Sequence, residues 1–206
     1  MRHHFTLPAL VLFSAVSYAG PITLSGTLSG ANENPPTGSA GTGTATVTLD
    51  NVVHTLIVDV VFSNLLPTIP GTSTPSGTTA SHIHCCALPP GNAGVATTVP
   101  TFPGFPLGVD SGTYHQTFDL TLSSSYNPAF ITANGGTVAS ADAALENGLL
   151  NGLTYLNIHT NAFGGGEIRA FLTPASVPEP TTAALALLGL GTVWLGRRRR
   201  RVSVVR

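Results

Sequence analysis

Several short stretches of the chain alternate apolar and polar residues, and this pattern limits the fold to packed β-strands. Residues 43–50 read GTATVTLD, which places Ala45, Val47 and Leu49 on one face and mainly threonines on the other. Successive side chains of a strand point to opposite faces of its sheet, so such a stretch buries one face only. Glycines and prolines separate these stretches, and long helical periodicity is absent.

Eight stretches carry a strand pattern, and together they predict one all-β domain. The expected fold is an antiparallel β-sandwich of about eight strands with Greek-key connections, for which the superoxide dismutase sandwich is one known form. One short helix is expected, with Ser140 as its N-cap and Gly148 as its terminator. The eight stretches are residues 22–30, 43–50, 55–62, 81–86, 94–100, 113–122, 154–160 and 166–172.

Residues 1–19 have the composition of a secretory signal peptide. A short basic start precedes an apolar stretch, and the small residues Ser17 and Ala19 stand at the positions that a signal peptidase reads. The apolar stretch is shorter than the ~20 residues that a membrane span needs. We therefore expect export and cleavage after Ala19.

Residues 177–206 differ from the domain that precedes them. An apolar run, residues 181–196, is followed by the arginine cluster Arg197–Arg201. This pattern predicts a hydrophobic transmembrane helix with an Arg-rich tail. Because positive charge stays in the cytoplasm, the domain, residues 20–176, is expected to lie outside.

The charge of the domain excludes one class of partner. Residues 20–176 contain eight carboxylates and a single Lys or Arg side chain, Arg169, so their formal charge is −7 with neutral histidines. A protein that binds nucleic acid needs a basic face to neutralise phosphates. We therefore expect no nucleic-acid partner.

The stretch SHIHCC, residues 81–86, holds two histidines and both cysteines of the chain. On a strand, Ile83 points to one face, while His82 and His84 point to the other. Imidazoles two positions apart on a strand stand about 7 Å apart at the backbone, close enough for both to reach one ion. This spacing makes the pair a candidate metal site.

The same alternation applies to the last two predicted strands. If Ile158 and Ile168 face the core, as Ile83 does, the polar residues that alternate with them point to the opposite face. That is the face to which His82 and His84 point. We therefore predict one polar patch on that face, provided that these strands are neighbours. Its members are His82, His84, Asn157, His159, Glu167 and Arg169.

Two interpretations of this patch remain open. In the first, His82, His84 and His159 bind one ion, and neutral imidazoles suit copper or zinc. In the second, the histidines hydrogen-bond to Glu167 and to loop carbonyls, and they organise the sheet without a metal.

The adjacent cysteines, Cys85 and Cys86, also have more than one interpretation. In an oxidising compartment, free thiols do not persist. The first expectation is a disulfide between the two, the second is that they act as soft ligands for copper beside the histidines, and the third is a bridge to another chain.

The order of motifs resembles two known families. Residues 28–49 (LSGANENPPTGSAGTGTATVTL), 80–97 (ASHIHCC and then GNAGVAT) and 152–172 (GLTYLNIHTNAFGGGEIRAFL) are similar to the CHRD domain. In that family Gly usually follows Ile-Arg, where this chain has Ala170. The C-terminus resembles the PEP-CTERM sorting signal of Gram-negative bacteria. Its motif is Val177, Pro178, Glu179 and Pro180, followed by the apolar run and the arginines.

These resemblances imply a location more than a chemistry. The PEP-CTERM signal implies an exosortase-type processing enzyme, a transient anchor in the inner membrane, and delivery to the cell surface or extracellular matrix. The CHRD domain has no agreed activity, so the expected role is structural or interactive, with extracellular polysaccharide or matrix proteins as partners. We find no recognisable catalytic motif, and we expect no enzyme.

The alternative is a copper- or zinc-binding, dismutase-like redox protein. The His-x-His strand and the tetrapeptide GNAG, residues 91–94, are similar to segments of the copper–zinc superoxide dismutases.

Overall fold

The structure is a computed structural model, and it describes residues 20–175. None of the helices in this part of the chain is long and apolar enough to cross a membrane. The predicted signal peptide with its cleavage site at Ala19, the motif at residues 177–180, the transmembrane helix at residues 181–196 and the arginine tail all lie outside the described residues.

Eight strands form one antiparallel sheet that curls into a half-barrel, which confirms the all-β prediction. The strands follow one another along the sheet in the order β4-β6-β7-β1-β2-β3-β5, and β8 lies off this path. They are β1 (Ile22–Ser29), β2 (Thr42–Asp50), β3 (Thr55–Ser63), β4 (Thr78–Cys85), β5 (Gly112–Asp119), β6 (Thr154–Thr160), β7 (Ile168–Phe171) and β8 (Thr173–Pro174).

Two sections of the sheet meet at a narrow junction. One section is β4-β6-β7 and the other is β1-β2-β3-β5, and β1 and β7 are joined by the single residue pair Ser29 and Arg169. The layers expected of a sandwich are thus parts of one curled sheet. The β4-β6-β7 section is the one that carries the predicted polar patch.

Cross-strand rows of apolar side chains form the core. In the four-stranded section, Leu24 pairs with Val47, which pairs with Val58 on its other side. In the β4-β6-β7 section, Ile83 pairs with Leu156, and Leu156 pairs with Ala170. All six side chains are fully buried, and they belong to one cluster. The alternation of the sequence therefore places one face of each section in a common core.

Two α-helices, α1 (Pro128–Ala133) and α2 (Val138–Leu150), pack beside the sheet. The longer one is the helix that the sequence predicts, but Ser140 is not its N-cap and Gly148 does not end it, since the helix continues to Leu150. Thr137 is the N-cap, and it forms a capping box in which Ser140 is the third helical residue. The prediction missed Thr137 because both residues have a hydroxyl that can cap a helix.

The stretch at residues 94–100 was wrongly predicted as a strand. It forms isolated bridges only, from Val95 to His84 and from Thr97 to Tyr126. Its β-branched residues favour extended backbone, but it lies beside β4 without a continuous ladder. It belongs instead to a loop that covers the polar face of the sheet.

Candidate metal centre

Three histidines lie together on the face of the β4-β6-β7 section that points away from the core. His82 pairs with Asn157 across the β4–β6 ladder, and His159 is two residues further along β6, on the same face. Ile83 and Ile158 occupy the opposite face and are fully buried. Strand alternation and register together therefore bring residues from distant parts of the chain to one point.

One ring nitrogen from each of His82, His84 and His159 lies within 4.8 Å of the other two. The closest pair is Nδ1 of His82 and Nε2 of His159, which are 3.3 Å apart. In a tetrahedral site with metal–nitrogen bonds of 2.0–2.1 Å, two ligand nitrogens stand about 3.3–3.4 Å apart. The donor set suits a single metal ion, and the His82–His159 distance matches such a site, whereas the widest of the three separations, up to 4.8 Å, would have to shorten around the ion.

Each imidazole is held by a backbone carbonyl from a covering loop. Nε2 of His82 lies 2.6 Å from the Pro100 oxygen, and Nδ1 of His84 lies 2.9 Å from the Ala93 oxygen. Nδ1 of His159 lies 2.9 Å from the oxygen of Gly164. A carbonyl oxygen only accepts, so each of these ring nitrogens carries the hydrogen.

The loop carbonyls are themselves fixed by local packing. The aromatic ring of Phe102 is fully buried in the core, and its backbone N–H donates to the Ser81 oxygen, which holds the chain near Pro100 against β4. The backbone N–H of Cys85 donates to the Gly94 oxygen and holds the loop that carries Ala93. The imidazole orientations are thus set before any ligand binds.

Burial keeps the three imidazoles neutral. It lowers the pKa of His82 to about 4, and the neighbouring His159 and His84 lower it further against the effect of the Pro100 carbonyl. Burial likewise lowers the pKa of His84 and of His159. A neutral imidazole whose hydrogen is on the outer nitrogen presents its lone pair inward, as a metal ligand does.

The ring nitrogens that point towards the centre of the cluster carry no hydrogen, so none of the three can donate a hydrogen bond to another. Nδ1 of His82 and Nε2 of His159 face each other as two acceptors, and Nε2 of His84 is buried without a hydrogen-bond partner. A buried acceptor without a partner costs about 1–3 kcal/mol. A cation at the centre of the cluster would satisfy all three lone pairs together.

Asn157 adds a fourth acceptor to this cluster. Its side chain lies on the same face as His82 and is almost fully buried, and its Oδ1 has no partner. Burial lowers the pKa of His84, and the Asn157 side chain near the ring works in the opposite direction. Asn157 is therefore a candidate oxygen ligand or a positioning residue.

Arg169 lies next to Asn157 in the same cross-strand row, and it is fully buried. Its Nη2 donates to the Pro90 oxygen at 2.8 Å, its Nη1 donates to the Asn92 side chain at 2.9 Å, and its Nε donates to the Asn32 oxygen. The guanidinium also lies over the ring of Tyr155, 4.7 Å from the centroid. The predicted polar face is thus covered by loops, and Arg169 ties those loops to the sheet.

Glu167 does not contribute to the histidine cluster as the sequence suggested. Its carboxylate accepts hydrogen bonds from the Ser39 hydroxyl, the Leu66 backbone and the Thr160 hydroxyl, and within residues 20–175 no bond joins it to an imidazole. The strand β7 begins only at Ile168, so its alternation does not extend to Glu167.

Sequence reasoning missed Glu33 as a member of the polar cluster. Its Oε2 lies 3.8 Å from Nε of Arg169, and its Oε1 is buried without a partner. Burial raises the pKa of Glu33 to about 7, and the charge of Arg169 opposes this only in part. The signal was present in the segment ENPP, residues 33–36, where an acid stands in a turn beside prolines.

Cys85 and Cys86 are joined to each other by a disulfide bond. Neither sulfur is grouped with the histidines, because Cys85 follows His84 and points to the other face of β4. The cysteines therefore stand apart from the histidine cluster.

The remaining histidines of the described domain form separate pairs. His54 lies 2.6 Å from Asp142, and His115 lies 2.6 Å from Asp59.

Comparison with known families decides the identity of the fold. The family model of the CHRD domain matches residues 24–172. The chain belongs to the CHRD family. The match includes the histidine cluster, Glu33, Arg169 and the disulfide, so these features lie inside the CHRD domain.

A second model, that of the PEP-CTERM protein-sorting motif, matches residues 176–201. This CHRD protein is therefore an exported protein of the Gram-negative cell envelope that is sorted by an exosortase-type system. Neither a curated protein nor a solved structure matches the chain.

Proposed function

We propose that this CHRD protein binds one copper or zinc ion through His82, His84 and His159, at the cell surface or in the extracellular matrix. The observation that carries the proposal is the convergence of three imidazole lone pairs, each fixed by a backbone carbonyl on the other ring nitrogen. In natural metal sites, hydrogen bonds of this kind on the outer ring nitrogen orient the histidine ligands.

The proposed role is binding and not catalysis. A bound ion would join β4, β6 and the loops that carry Pro100, Ala93 and Gly164, and it would stabilise the domain by mass action. Contact with matrix polysaccharide or matrix proteins is part of the same proposal, and the PEP-CTERM match supports it only so far as it indicates export and sorting in the cell envelope.

A dismutase-like redox activity is the second candidate. His159 is only partly buried, so the cluster has one side towards solvent. A small oxidant could reach a copper ion from that side. Copper-loaded protein that accelerates superoxide decay well above the same protein loaded with zinc would support this candidate.

The test of the main proposal is a titration of the metal-free exported protein with Zn(II) and Cu(II), followed by calorimetry. We expect one ion per chain, and loss of binding in His82→Ala and His159→Ala. His115→Ala is the matched control, because His115 is exposed and pairs with Asp59 outside the cluster.

The opposing interpretation makes a different prediction for the same variants. If the histidines serve only the hydrogen-bond network, His82→Ala lowers the free energy of unfolding by about 1–3 kcal/mol. In that case zinc changes the stability of neither the wild-type protein nor the variant. Absence of binding in the wild-type protein, or equal loss in the His115 control, would reject the metal proposal.

A further inference from the structure

The two cysteines open onto a cleft on the side of β4 that faces away from the histidines. The cleft has a volume of about 430 Å³, and Cys85 and Cys86 both line it. Cys85 is buried, whereas Cys86 is exposed. The walls opposite the disulfide come from Val95 and Phe130, with Ala133 at an exposed edge. Asn127 and Asn134 also line the cleft, so the disulfide lies at a cavity whose walls are partly apolar.

Helix α2 closes the other side of the disulfide. The sulfurs of Cys85 and Cys86 lie 4.0 and 3.8 Å from the Ala144 oxygen. A Cβ at Gly148 would stand 2.3 Å from the sulfur of Cys85 and 2.8 Å from that of Cys86. The absence of a side chain at Gly148 lets the helix backbone rest directly on the disulfide. The helix thus blocks approach to the disulfide from this side, and Cys86 also lines the cleft.

We propose that the Cys85–Cys86 disulfide is a thiol–disulfide exchange site whose cleft holds the organic part of a neutral, apolar thiol. This inference does not depend on metal binding, since it concerns the other face of β4. The exposure of Cys86, the apolar walls and the helix behind the sulfurs carry it together.

The exchange proceeds in two displacements. A substrate thiolate attacks the Cys86 sulfur, the disulfide bond breaks, and its electron pair leaves on Cys85, which takes up a proton. A second substrate thiolate then attacks the substrate sulfur of the mixed disulfide, and the Cys86 thiolate leaves and is protonated. The net result is that two substrate thiols become one disulfide, and their two electrons and two protons reside on the cysteine thiols.

The charge of the domain selects against anionic thiols. Residues 20–176 carry a formal charge of −7, and their one Lys or Arg side chain, Arg169, is fully buried among loop carbonyls. A thiol that carries a sulfonate or carboxylate meets net repulsion as it approaches. A thiol with an aromatic or aliphatic group instead gains contact with Phe130 and Val95.

The test measures the rate at which metal-free, full-length protein is reduced by benzyl mercaptan and by 2-mercaptoethanesulfonate at equal thiolate concentration. Each rate is divided by the rate with a small soluble disulfide, which removes intrinsic reactivity. We expect a normalised preference for benzyl mercaptan of about tenfold, because this is the rate factor that corresponds to the burial of one apolar group. Equal normalised rates, or a disulfide that neither thiol reduces, would overturn the proposal.

Paired surface variants test whether the preference between the two thiols arises in the cleft, and they do not disturb the core. Ala133→Lys should raise the rate with the sulfonate several-fold and Ala133→Glu should lower it, because residue 133 stands at the edge of the cleft. The same two changes at Thr132, an exposed neighbour on α1 that does not line the cleft, are the control. Equal effects at both positions would show general electrostatics and would also overturn the assignment of the cleft.

Discussion

Glu33→Gln should make the CHRD domain more stable at neutral pH and leave it nearly unchanged in acid. Glu33 is buried, its Oε1 has no partner, and its nearest cation, Nε of Arg169, is 3.8 Å from Oε2. Burial raises the pKa of this carboxyl from 4.5 to about 7. Glutamine has a similar shape and never ionises, so it imitates the protonated carboxyl.

The magnitude follows from the difference between the two pKa values. The folded state keeps the proton of Glu33 in a pH range where the unfolded chain has already released it. The stabilisation from this proton is complete below pH 4.5 and is lost as the pH rises through 7. Each pKa unit corresponds to 1.36 kcal/mol, so the loss is about 3 kcal/mol. The variant has no such loss.

Urea denaturation of metal-free protein between pH 4 and 8 gives the measurement. The free energy of unfolding of Glu33→Gln minus that of the wild type should increase by about 3 kcal/mol from pH 4.5 to 8. The histidines also titrate in this range: the pKa of His82 falls from 6.5 to about 4 on folding, so acid destabilises the fold. Both proteins share this effect, and it cancels in the difference.

Glu146→Gln on α2 is the control, because it removes a carboxylate outside the polar cluster and corrects for the change in net charge. A difference for Glu33→Gln that stays flat, or that falls as the pH rises, would refute the reasoning. It would mean that attraction to Arg169 outweighs burial and keeps Glu33 ionised in the folded protein.

Three further predictions concern other parts of the chain. Gly148→Ala should lower the free energy of unfolding by about 1–3 kcal/mol, because the new methyl group would overlap the Cys85 sulfur, whereas Gly164→Ala, with no atom within 4 Å of its Cβ, should be nearly neutral in the same denaturation assay. Asn157→Leu should weaken zinc binding about tenfold and Asn157→Asp should retain or strengthen it, as measured by competition with a chelator, since Oδ1 is an unpartnered acceptor on the histidine face. Intact-mass analysis of the exported protein should show a product that begins at Gly20 and lacks the cluster Arg197–Arg201, and a released product that retains these arginines would contradict sorting by the PEP-CTERM signal.

The alignment of the site residues could be predicted because strand alternation is a local property. His82, Asn157 and Arg169 form one row in the structure, as their parity against Ile83, Ile158 and Ile168 indicates. The sequence does not reveal which strands are neighbours, since β4 and β6 pair across more than 60 residues of intervening chain. The prediction therefore depended on a condition that the topology of the sheet then met.

The burial of this row could not be predicted from the same pattern. Polar residues that alternate with apolar ones usually face water on an antiparallel sheet. Here the segments near Asn32, Ala93 and Pro100 cover the face, and they have no periodicity that would reveal this packing. Glu167 was misplaced for a related reason, because the regular alternation of β7 begins only after that residue.

The wrong prediction of a strand at residues 94–100 shows that β-propensity alone does not determine whether a segment forms a strand. Val95 and Thr97 favour extended backbone, and each does form a bridge, to His84 and to Tyr126. Whether such a segment adds a full strand depends on the partners that the fold supplies, which a single sequence does not show.

The carbonyls of Ala93 and Pro100 lie on the connection between β4 and β5, and that of Gly164 lies between β6 and β7, so the three imidazoles are oriented only when both connections have folded onto the sheet. An unfolded chain offers scattered histidines of ordinary affinity and no assembled ligand set. If the chain crosses the inner membrane before it folds, cytoplasmic metals never meet the finished centre. The supply of ions in the outer compartment would then decide which metal is acquired, because availability, and not affinity alone, determines which of copper and zinc a histidine site takes.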